Sequence, residues 1–309
     1  MRAYFLESAG ARMNLTLREV PVPQPSPNQH LVKIHASSLN RGELLGGLGA
    51  AKPAGQEAAG EVVSSGEKVM GRCPGGFAEY GLMEKSDAIP VPRGLPWEQA
   101  GAIPLAFMVV HDMLMAQGAL KRDEWLLVTG ISSGVGVASL QAAKAIGARV
   151  IGTSGSREKL DRLKTLGLDV GIHTRTANFK DAVMEATGGR GADLVVNNIG
   201  GTVFPECIRS LAYQGRLATV GYLDRVMRAE LDLDALHAKR LHLFGVSNKL
   251  RTAEQRAMTV RGFIADLLPY FADGRIRPVI DRVYPFDRLP EAQTCMESDS
   301  HLGKVAIRM

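Results

Sequence analysis

The chain has 309 residues, of which 45% are hydrophobic and 22% are charged. This composition is typical of a globular protein with a sizeable core, and the length predicts one large or two medium domains. The net charge of +5 is not gathered into runs of lysine and arginine, which argues against nucleic-acid binding. No apolar run approaches the roughly 18 residues of a membrane span, and a secretory signal pattern is lacking, so we expect a cytoplasmic protein that binds no membrane.

The three cysteines, Cys73, Cys207 and Cys295, are far apart and odd in number. This spacing offers no pair for a disulfide and no cluster for a structural zinc ion. We therefore expect reduced thiols.

Two kinds of pattern divide the chain. Residues 1 to about 100 read as short strands with many turn signals, which predicts a compact β domain. From Trp125 onward, six apolar strands alternate with helical stretches, which predicts a doubly wound parallel sheet of the Rossmann type. Residues 252–274 read as one long helix, and the tail beyond it returns to short strands. The predicted bounds are 1–106 for a β domain completed by 256–309, and 107–255 for the nucleotide-binding domain.

A glycine turn follows the first of these six strands, in the segment "LLVTGISSGVG" (126–136). Free backbone amides at the start of the following helix suit a pyrophosphate, although the match to the GxGxxG pattern is loose. The string of strand and helix units around the turn favours a bound dinucleotide over a purely structural turn.

The end of the second strand carries Ser154 where an NAD-selective protein has an acidic residue. A carboxylate would repel a 2′-phosphate, whereas Ser154, with Arg157 and Lys159 nearby, supplies donors and positive charge. This favours NADPH. In the alternative interpretation, Ser154 or Ser156 only caps the next helix and the two cations lie on its solvated face.

Seven segments carry a family resemblance when taken together. They are "ASSLNRGELL", "GQEAAGEVV", "GGFAEY", "TGISSGVG", "AKAIGARVIGT", "TGGRGADLVVNNIGG" and "GKVAI". With them the chain resembles the medium-chain dehydrogenase/reductase family, and within it the zinc-independent NADPH:quinone oxidoreductases. The resemblance implies an α/β fold, in which a Rossmann doubly wound parallel sheet accompanies a GroES-like β domain. Residues 45–60 and 62–76 are short relative to typical members, which makes the substrate the least transferable inference.

The positions that carry zinc ligands in the zinc alcohol dehydrogenases of this family hold Asn40, Gln56 and Leu105 here. None of these side chains is a good zinc ligand, so we expect no metal. Hydride transfer that needs little electrophilic help then becomes the expected chemistry, as in the reduction of a quinone or an activated alkene.

Asn40, Arg41 and Tyr222 are the predicted catalytic residues. Asn40 occupies a former metal position and is a candidate hydrogen-bond donor to the substrate oxygen, or else stabilises its loop. Arg41 is expected at the cofactor or at the surface. Tyr222 and Ser247 lie at the ends of the fifth and sixth strands, where the nicotinamide is expected. The predicted cofactor contacts are Thr129, Ser132, Ser133, Gly134, Val135, Ser154, Arg157, Lys159, Arg175, Asn198, Gly221, Tyr222, Phe244, Val246 and Ser247.

The sequence thus predicts a reductase that passes a hydride from NADPH to a quinone, an enone or another activated acceptor. Two alternatives stay open, an enoyl-thioester reductase and a nucleotide-binding scaffold or stress protein with vestigial catalysis. The sixth strand, at residues 241–246, is apolar and unprotected at the sheet edge, and family members commonly pair this edge, so a homodimer is expected.

Overall fold

A computed structural model of the chain describes residues 1–9, 12–44 and 51–309. By their contacts the residues form two compact units. Unit 1 comprises Met1–Met108 and Ala253–Met309, and unit 2 comprises Val109–Thr252. Part of the shortened segment 45–60, its residues 45–50, lies outside the described residues. Within the described ranges, no helix combines the length and the apolarity needed to cross a membrane.

Unit 1 is built on two β-sheets. A small sheet has the strand order β2-β1-β4, and a larger one has the order β15-β16-β3-β5-β6-β8, with β7 also pairing β3. The pairing of β16 with β3 is antiparallel and joins residues from the two ends of the unit, such as Ala306 and Ser38. The strands are β1 (Arg2–Ala9), β2 (Arg12–Glu19), β3 (Gln29–Ser38), β4 (Lys52–Pro53), β5 (Glu57–Val62), β6 (Lys68–Arg72), β7 (Tyr80–Glu84), β8 (Ala88–Pro90), β15 (Ile280–Pro285) and β16 (Lys304–Arg308).

The helices of this part of the chain are short, apart from one. The long helix predicted over 252–274 is divided in the structure, because Pro269 lacks the backbone N–H that would continue the hydrogen-bond ladder. The helices are α1 (Arg41–Leu44), α2 (Trp97–Ala100), α3 (Pro104–His111), α9 (Ala253–Asp266), α10 (Leu268–Ala272) and α11 (Leu289–Glu297).

Unit 2 is a six-stranded parallel sheet with the order β11-β10-β9-β12-β13-β14, as the sequence predicted. The order reverses between β9 and β12, which makes the carboxyl ends of these two strands the usual binding crevice of such a sheet. The strands are β9 (Trp125–Thr129), β10 (Arg149–Ser154), β11 (Val170–His173), β12 (Ala192–Asn197), β13 (Leu211–Thr219) and β14 (His242–Gly245).

Helices cover the central strands, so that every residue of β9 is buried. The core on one side joins Leu127 and Val195 of neighbouring strands to Ile208. These helices are α4 (Gly134–Ile146), α5 (Arg157–Lys164), α6 (Lys180–Ala186), α7 (Phe204–Arg209) and α8 (Leu233–Ala238).

Candidate functional site

The glycine turn connects β9 to α4, and its structure favours anion binding. The Ser133 side chain accepts a hydrogen bond from the Gly136 amide at 3.1 Å and so caps the helix. A Cβ on Gly136 would lie 2.5 Å from the carbonyl oxygen of Ile131, so only glycine lets the helix approach the turn this closely. Ser132 in the turn and Gly134 and Val135 in the first turn of α4 are partly exposed. The amides at the start of α4 are therefore accessible to a phosphate group.

The end of β10 brings hydroxyl groups and a guanidinium together. The Ser154 Oγ lies 3.4 Å from the Ser132 Oγ and accepts a hydrogen bond from the Ser156 amide at 3.2 Å. The Arg175 side chain lies over Gly155, where an added Cβ would meet the guanidinium carbon at 2.6 Å. Within the described residues, Arg175 makes no hydrogen bond or ion pair, so its charge is available to an anion.

Arg157 and Lys159 both belong to the first turn of α5. Ser156 caps this helix, because its Oγ accepts a hydrogen bond from the Lys159 amide at 3.3 Å. The capping role that was open between Ser154 and Ser156 thus belongs to Ser156. Arg157 is exposed. A contact of Arg157 or Lys159 with the cofactor stays a prediction.

The carboxyl end of β12 is tied to that of β9. The Thr129 Oγ1 donates to Asn197 Oδ1 at 3.2 Å and accepts the backbone amide of Asn198 at 3.1 Å. The Asn198 side chain in turn donates to the Thr129 carbonyl at 3.1 Å. Thr129 and Asn198, both predicted to contact the cofactor, therefore lie next to each other. Each side chain already forms a hydrogen bond with the backbone of the other residue.

The predicted residues on β13 and β14 lie farther along the same edge of the sheet. Gly221 and Tyr222 follow β13, and the Tyr222 side chain is 47% exposed. Phe244 lies within β14 and is half-buried, Val246 is buried, and Ser247 is exposed. The backbone amide of Val246 donates to Thr219 at 3.4 Å, which holds the end of β14 against β13.

Unit 1 contains a buried polar cluster around Glu57. The Glu57 Oε1 accepts hydrogen bonds from Ser38 Oγ at 2.5 Å, Asn40 Nδ2 at 2.8 Å and Lys304 Nζ at 3.0 Å. Its Oε2 accepts the backbone amide of Leu105 at 2.8 Å. The two charged side chains are almost fully buried, with 0% of Glu57 and 7% of Lys304 exposed.

Asn40 links this cluster to a second carboxyl group. Its Nδ2 donates to Glu43 Oε1 and to Glu57 Oε1, each at 2.8 Å, and its Oδ1 accepts from Lys304 at 2.6 Å. The Glu43 Oε2 is buried and has no hydrogen-bond partner among the described residues. Burial, reinforced by the charge of Glu57, raises the pKa of Glu43 to about 8. Glu43 is therefore protonated at neutral pH and is chemically able to donate a proton.

The structure bears on the predicted roles of Asn40 and Arg41. Both N–H groups of the Asn40 amide are already donated to carboxyl groups, so Asn40 would give up one of these bonds to serve a substrate. The Arg41 guanidinium donates to the carbonyl of Met296 at 2.9 Å and forms an ion pair with Asp299. Both roles stay predictions.

Comparison with known proteins supports a nucleotide-dependent enzyme. A family model described as zinc-binding dehydrogenase matches residues 134–260. The quinone oxidoreductase of Rattus norvegicus is 28% identical over 331 residues, which cover 99% of this chain and 97% of that protein. One subunit of the phenolphthiocerol/phthiocerol polyketide synthase of Mycobacterium tuberculosis is 29% identical over 318 residues, which cover 98% of this chain but 14% of that subunit.

The solved structures include the quinone oxidoreductase from Thermus thermophilus, reported with its NADPH complex. It is 26% identical, has a TM-score of 0.86, and the match covers 100% of each chain. The fold and these matches are those of Rossmann-type oxidoreductases. The chain is similar in sequence and fold to the medium-chain dehydrogenase/reductase family, and the relatives that it matches over almost their full length include quinone oxidoreductases.

The family model's description raises the question of zinc. The residues at the expected ligand positions do not suit a zinc ion. Asn40 and the backbone amide of Leu105 both donate hydrogen bonds to Glu57, and the Lys304 ammonium lies 3.0 Å from that carboxylate. A second cation would be repelled there. Among the described residues, no group of three or more histidine, cysteine, aspartate or glutamate side chains is arranged to hold a metal ion.

Sequence reasoning missed Glu43 and Lys304 as members of the cluster. Glu43 lies within "ASSLNRGELL" and Lys304 within "GKVAI", so both belong to segments that carry the family resemblance. Their proximity depends on the pairing of β16 with β3, which joins residues more than 260 positions apart, as in the contact of Lys304 with Asn40. The available signal was Lys304 itself, a lysine next to the apolar residues of a predicted strand. A buried lysine requires a partner that is also buried.

Proposed function

We propose that the chain is an NADPH-dependent reductase that delivers a hydride to a quinone, an enone or a related activated acceptor. The observation that carries the proposal is the end of β10, where Ser154 and the available guanidinium of Arg175 take the place of an acidic residue. This arrangement lies beside the capped glycine turn and suits a dinucleotide with a 2′-phosphate. The full-length match to quinone oxidoreductases supports the choice of acceptor.

When bound, NADPH supplies the hydride, and the chain binds and orients its reactants. The turn from Ser132 to Val135 offers amides to the pyrophosphate, and Arg175 offers charge to the 2′-phosphate. Tyr222 offers an exposed phenol that can donate a hydrogen bond to the acceptor oxygen as its negative charge grows. Among the predicted catalytic residues, Tyr222 has the side chain that forms no hydrogen bond with other described residues.

The enoyl thioesters, which the sequence leaves open, are a second acceptor class. The two acceptor classes differ in a way that an assay resolves. NADPH oxidation is followed by absorbance with para-benzoquinones, cyclic enones and enoyl-CoA thioesters at equal concentrations. The proposal expects the highest kcat/KM with quinones or enones.

Three outcomes of this assay count against the proposal. Preferential turnover of enoyl-CoA would assign the thioester activity, and tight NADPH binding without any turnover would favour a scaffold. An unchanged rate in the variant Ser154→Asp would show that the activity does not use the proposed nucleotide site. Lys180→Ala, which alters a cation on α6, is the matched control and is expected to leave the rate unchanged.

A further inference from the structure

Asp224 connects the loop after β12 to the loop after β13. Its Oδ2 accepts the backbone amide of Thr202 at 2.8 Å and the Thr202 Oγ1 at 2.6 Å. Its Oδ1 accepts the amide of Val226 at 2.8 Å. One carboxylate therefore holds three donors, two from the first loop and one from its own loop.

The backbones of the two loops are joined around this carboxylate. The amide of Asp224 donates to the carbonyl of Ile199 at 2.9 Å, and the amide of Gly201 donates to the carbonyl of Val226 at 2.8 Å. Gly200 has a φ of +127°, and a Cβ added there would collide with Asp224 Oδ1. Glycine is required at this position both by the dihedral angle and by the close approach of the carboxylate.

The charge of Asp224 is suited to this task. Burial raises the pKa of Asp224, but the hydrogen bonds from Thr202 and Val226 outweigh burial and hold the pKa below its usual range. The carboxylate is therefore ionised at neutral pH. Hydrogen bonds to an ionised acceptor are roughly twice as strong as neutral ones, which makes the connection stiff.

The connected loops lie at the half of the crevice opposite to Ser154. In the sheet order, β10 and β11 lie on one side of β9, and β12 and β13 lie on the other. If the 2′-phosphate binds at Ser154 and Arg175 and the pyrophosphate at the glycine turn, the nicotinamide extends over β12 and β13. The loops held by Asp224 include Asn198 and Tyr222 and are therefore beside that ring.

We propose that Asp224 is a positioning residue that fixes the spacing of these two loops and thereby the orientation of the nicotinamide ring. This inference rests on the proposed function, because it takes a nicotinamide dinucleotide as the ligand. Asp224 itself does not need to touch the ring. Its effect is carried by the backbone of residues 198–202 and 221–226.

The test compares Asp224→Asn with the control Asp232→Asn. Asp232 is also a loop aspartate of unit 2, and it caps α8 by accepting the amide of Ala235 at 2.9 Å. An asparagine at 224 would turn an N–H group towards donors, so we expect kcat with the best acceptor to fall about tenfold or more, about 1.4 kcal/mol. The Kd of 2′,5′-ADP, which lacks the nicotinamide, is expected to stay within about twofold, since a twofold change is only about 0.4 kcal/mol. Asp232→Asn is expected to change neither quantity.

Substitutions of Thr202 give a graded second test that leaves the carboxylate in place. Thr202→Val removes the hydroxyl donor, whereas Thr202→Ser retains it. We expect Thr202→Val to lower kcat and Thr202→Ser to keep most of it. A purely structural role would instead lower the thermal stability of both Asp224→Asn and Thr202→Val while leaving kcat per folded molecule unchanged, and this result would overturn the proposal.

A readout without turnover separates this proposal from the proposed function. Fluorescence enhancement of the bound nicotinamide of NADPH reports how firmly the ring is held, and it is expected to be weaker in Asp224→Asn than in the unmodified protein. If no acceptor is reduced by the unmodified protein, the proposed function fails, but the fluorescence comparison still decides the role of Asp224. Equal enhancement in both proteins would refute the positioning role, and absence of NADPH binding by the unmodified protein would refute both proposals.

Discussion

Lys304 Nζ lies 3.0 Å from Glu57 Oε1, and both side chains are almost completely buried. The ammonium group also donates to the Leu39 carbonyl at 3.0 Å and to Asn40 Oδ1 at 2.6 Å. A buried ion pair of this kind is tolerated because its remaining hydrogen-bonding capacity is satisfied. Four segments of unit 1 meet through these two residues.

Replacement of Lys304 by Met is expected to destabilise unit 1 by about 3–5 kcal/mol, because it leaves the Glu57 carboxylate buried without a counter-charge. Urea unfolding of both proteins measures the difference. The double variant Glu57→Gln/Lys304→Met is expected to lose less free energy of unfolding than the two single variants lose in sum. The control Lys164→Met breaks an exposed pair with Asp161 and should cost less than about 1 kcal/mol. Equal losses at 304 and 164 would contradict the importance of the buried pair.

The pKa of Glu43, raised to about 8, predicts a pH-dependent stability. The folded state favours the protonated carboxyl, so stability is lost as the pH rises from the ordinary value of 4.5 to about 8 and then levels off. Glu57, Lys304 and Lys52 are the charged groups that act on Glu43, and Asn40 bonds it. The variant Glu43→Gln removes this loss and is expected to be more stable than the unmodified protein above pH 8, but not near pH 4.

Urea unfolding over a series of pH values measures this difference for Glu43→Gln. Glu185→Gln, at an exposed position of α6, is the matched control and should run parallel to the unmodified protein. A constant difference between Glu43→Gln and the unmodified protein at all pH values would show that Glu43 does not titrate in this range.

The 2′-phosphate assignment predicts that NADPH binds more tightly than NADH. Ser154→Asp is expected to reverse the order, because it places a carboxylate beside the phosphate. Arg175→Ala is expected to weaken the binding of NADPH by about tenfold and to have little effect on the binding of NADH. The reason is that an exposed charge-assisted hydrogen bond contributes about 1–2 kcal/mol. Fluorescence titration with both cofactors measures these affinities. Equal affinities of the unmodified protein for the two cofactors would contradict the assignment.

The ligand positions held by Asn40, Gln56 and Leu105 predict that the purified protein contains no stoichiometric zinc. Elemental analysis after dialysis tests this, and treatment with a chelator is expected to leave both activity and thermal stability unchanged. One tightly held zinc ion per chain would overturn this interpretation of the three positions.

The edge strand β14 predicts a homodimer built on residues 241–246 of each chain. β14 pairs only with β13 in the described sheet, so its other side has unpaired backbone groups. Light scattering at micromolar concentration is expected to give twice the mass of the 33.2 kDa chain. Phe244→Pro should yield monomers, because proline cannot donate to an added strand. A dimer that survives this substitution has its interface elsewhere.

The sequence allowed the Rossmann unit to be predicted because its strands are short, apolar and regularly separated by helices. Trp125–Thr129 and Gly134–Ile146 were expected in these positions, and both are observed. Unit 1 was harder to predict. The strand Lys68–Arg72 lies in a segment that the sequence marked only as short relative to typical family members, and the helix Leu289–Glu297 was not anticipated.

The side-chain networks could be predicted least. The bonds of Asp224 to Thr202 and of Lys304 to Glu57 join positions that are 22 and 247 apart in sequence. Hydrophobic periodicity cannot predict these contacts, because they depend on how strands that are distant in sequence pair with one another. Ser154 could be proposed as a cofactor contact because it depends on a single position at the end of a strand, which the strand pattern already located, and this contact stays a prediction.

The pairing of β16 with β3 has a consequence for the order in which the protein forms during synthesis. The large sheet of unit 1 and its Glu57 cluster require Lys304, which leaves the ribosome long after β3. Residues 109–252, whose six strands pair only among themselves, are complete much earlier. Domains that are finished first generally fold first. The nascent chain is therefore expected to carry a folded unit 2 while unit 1 is still incomplete. Until β16 is synthesised, the Glu57 carboxylate lacks the counter-charge of Lys304.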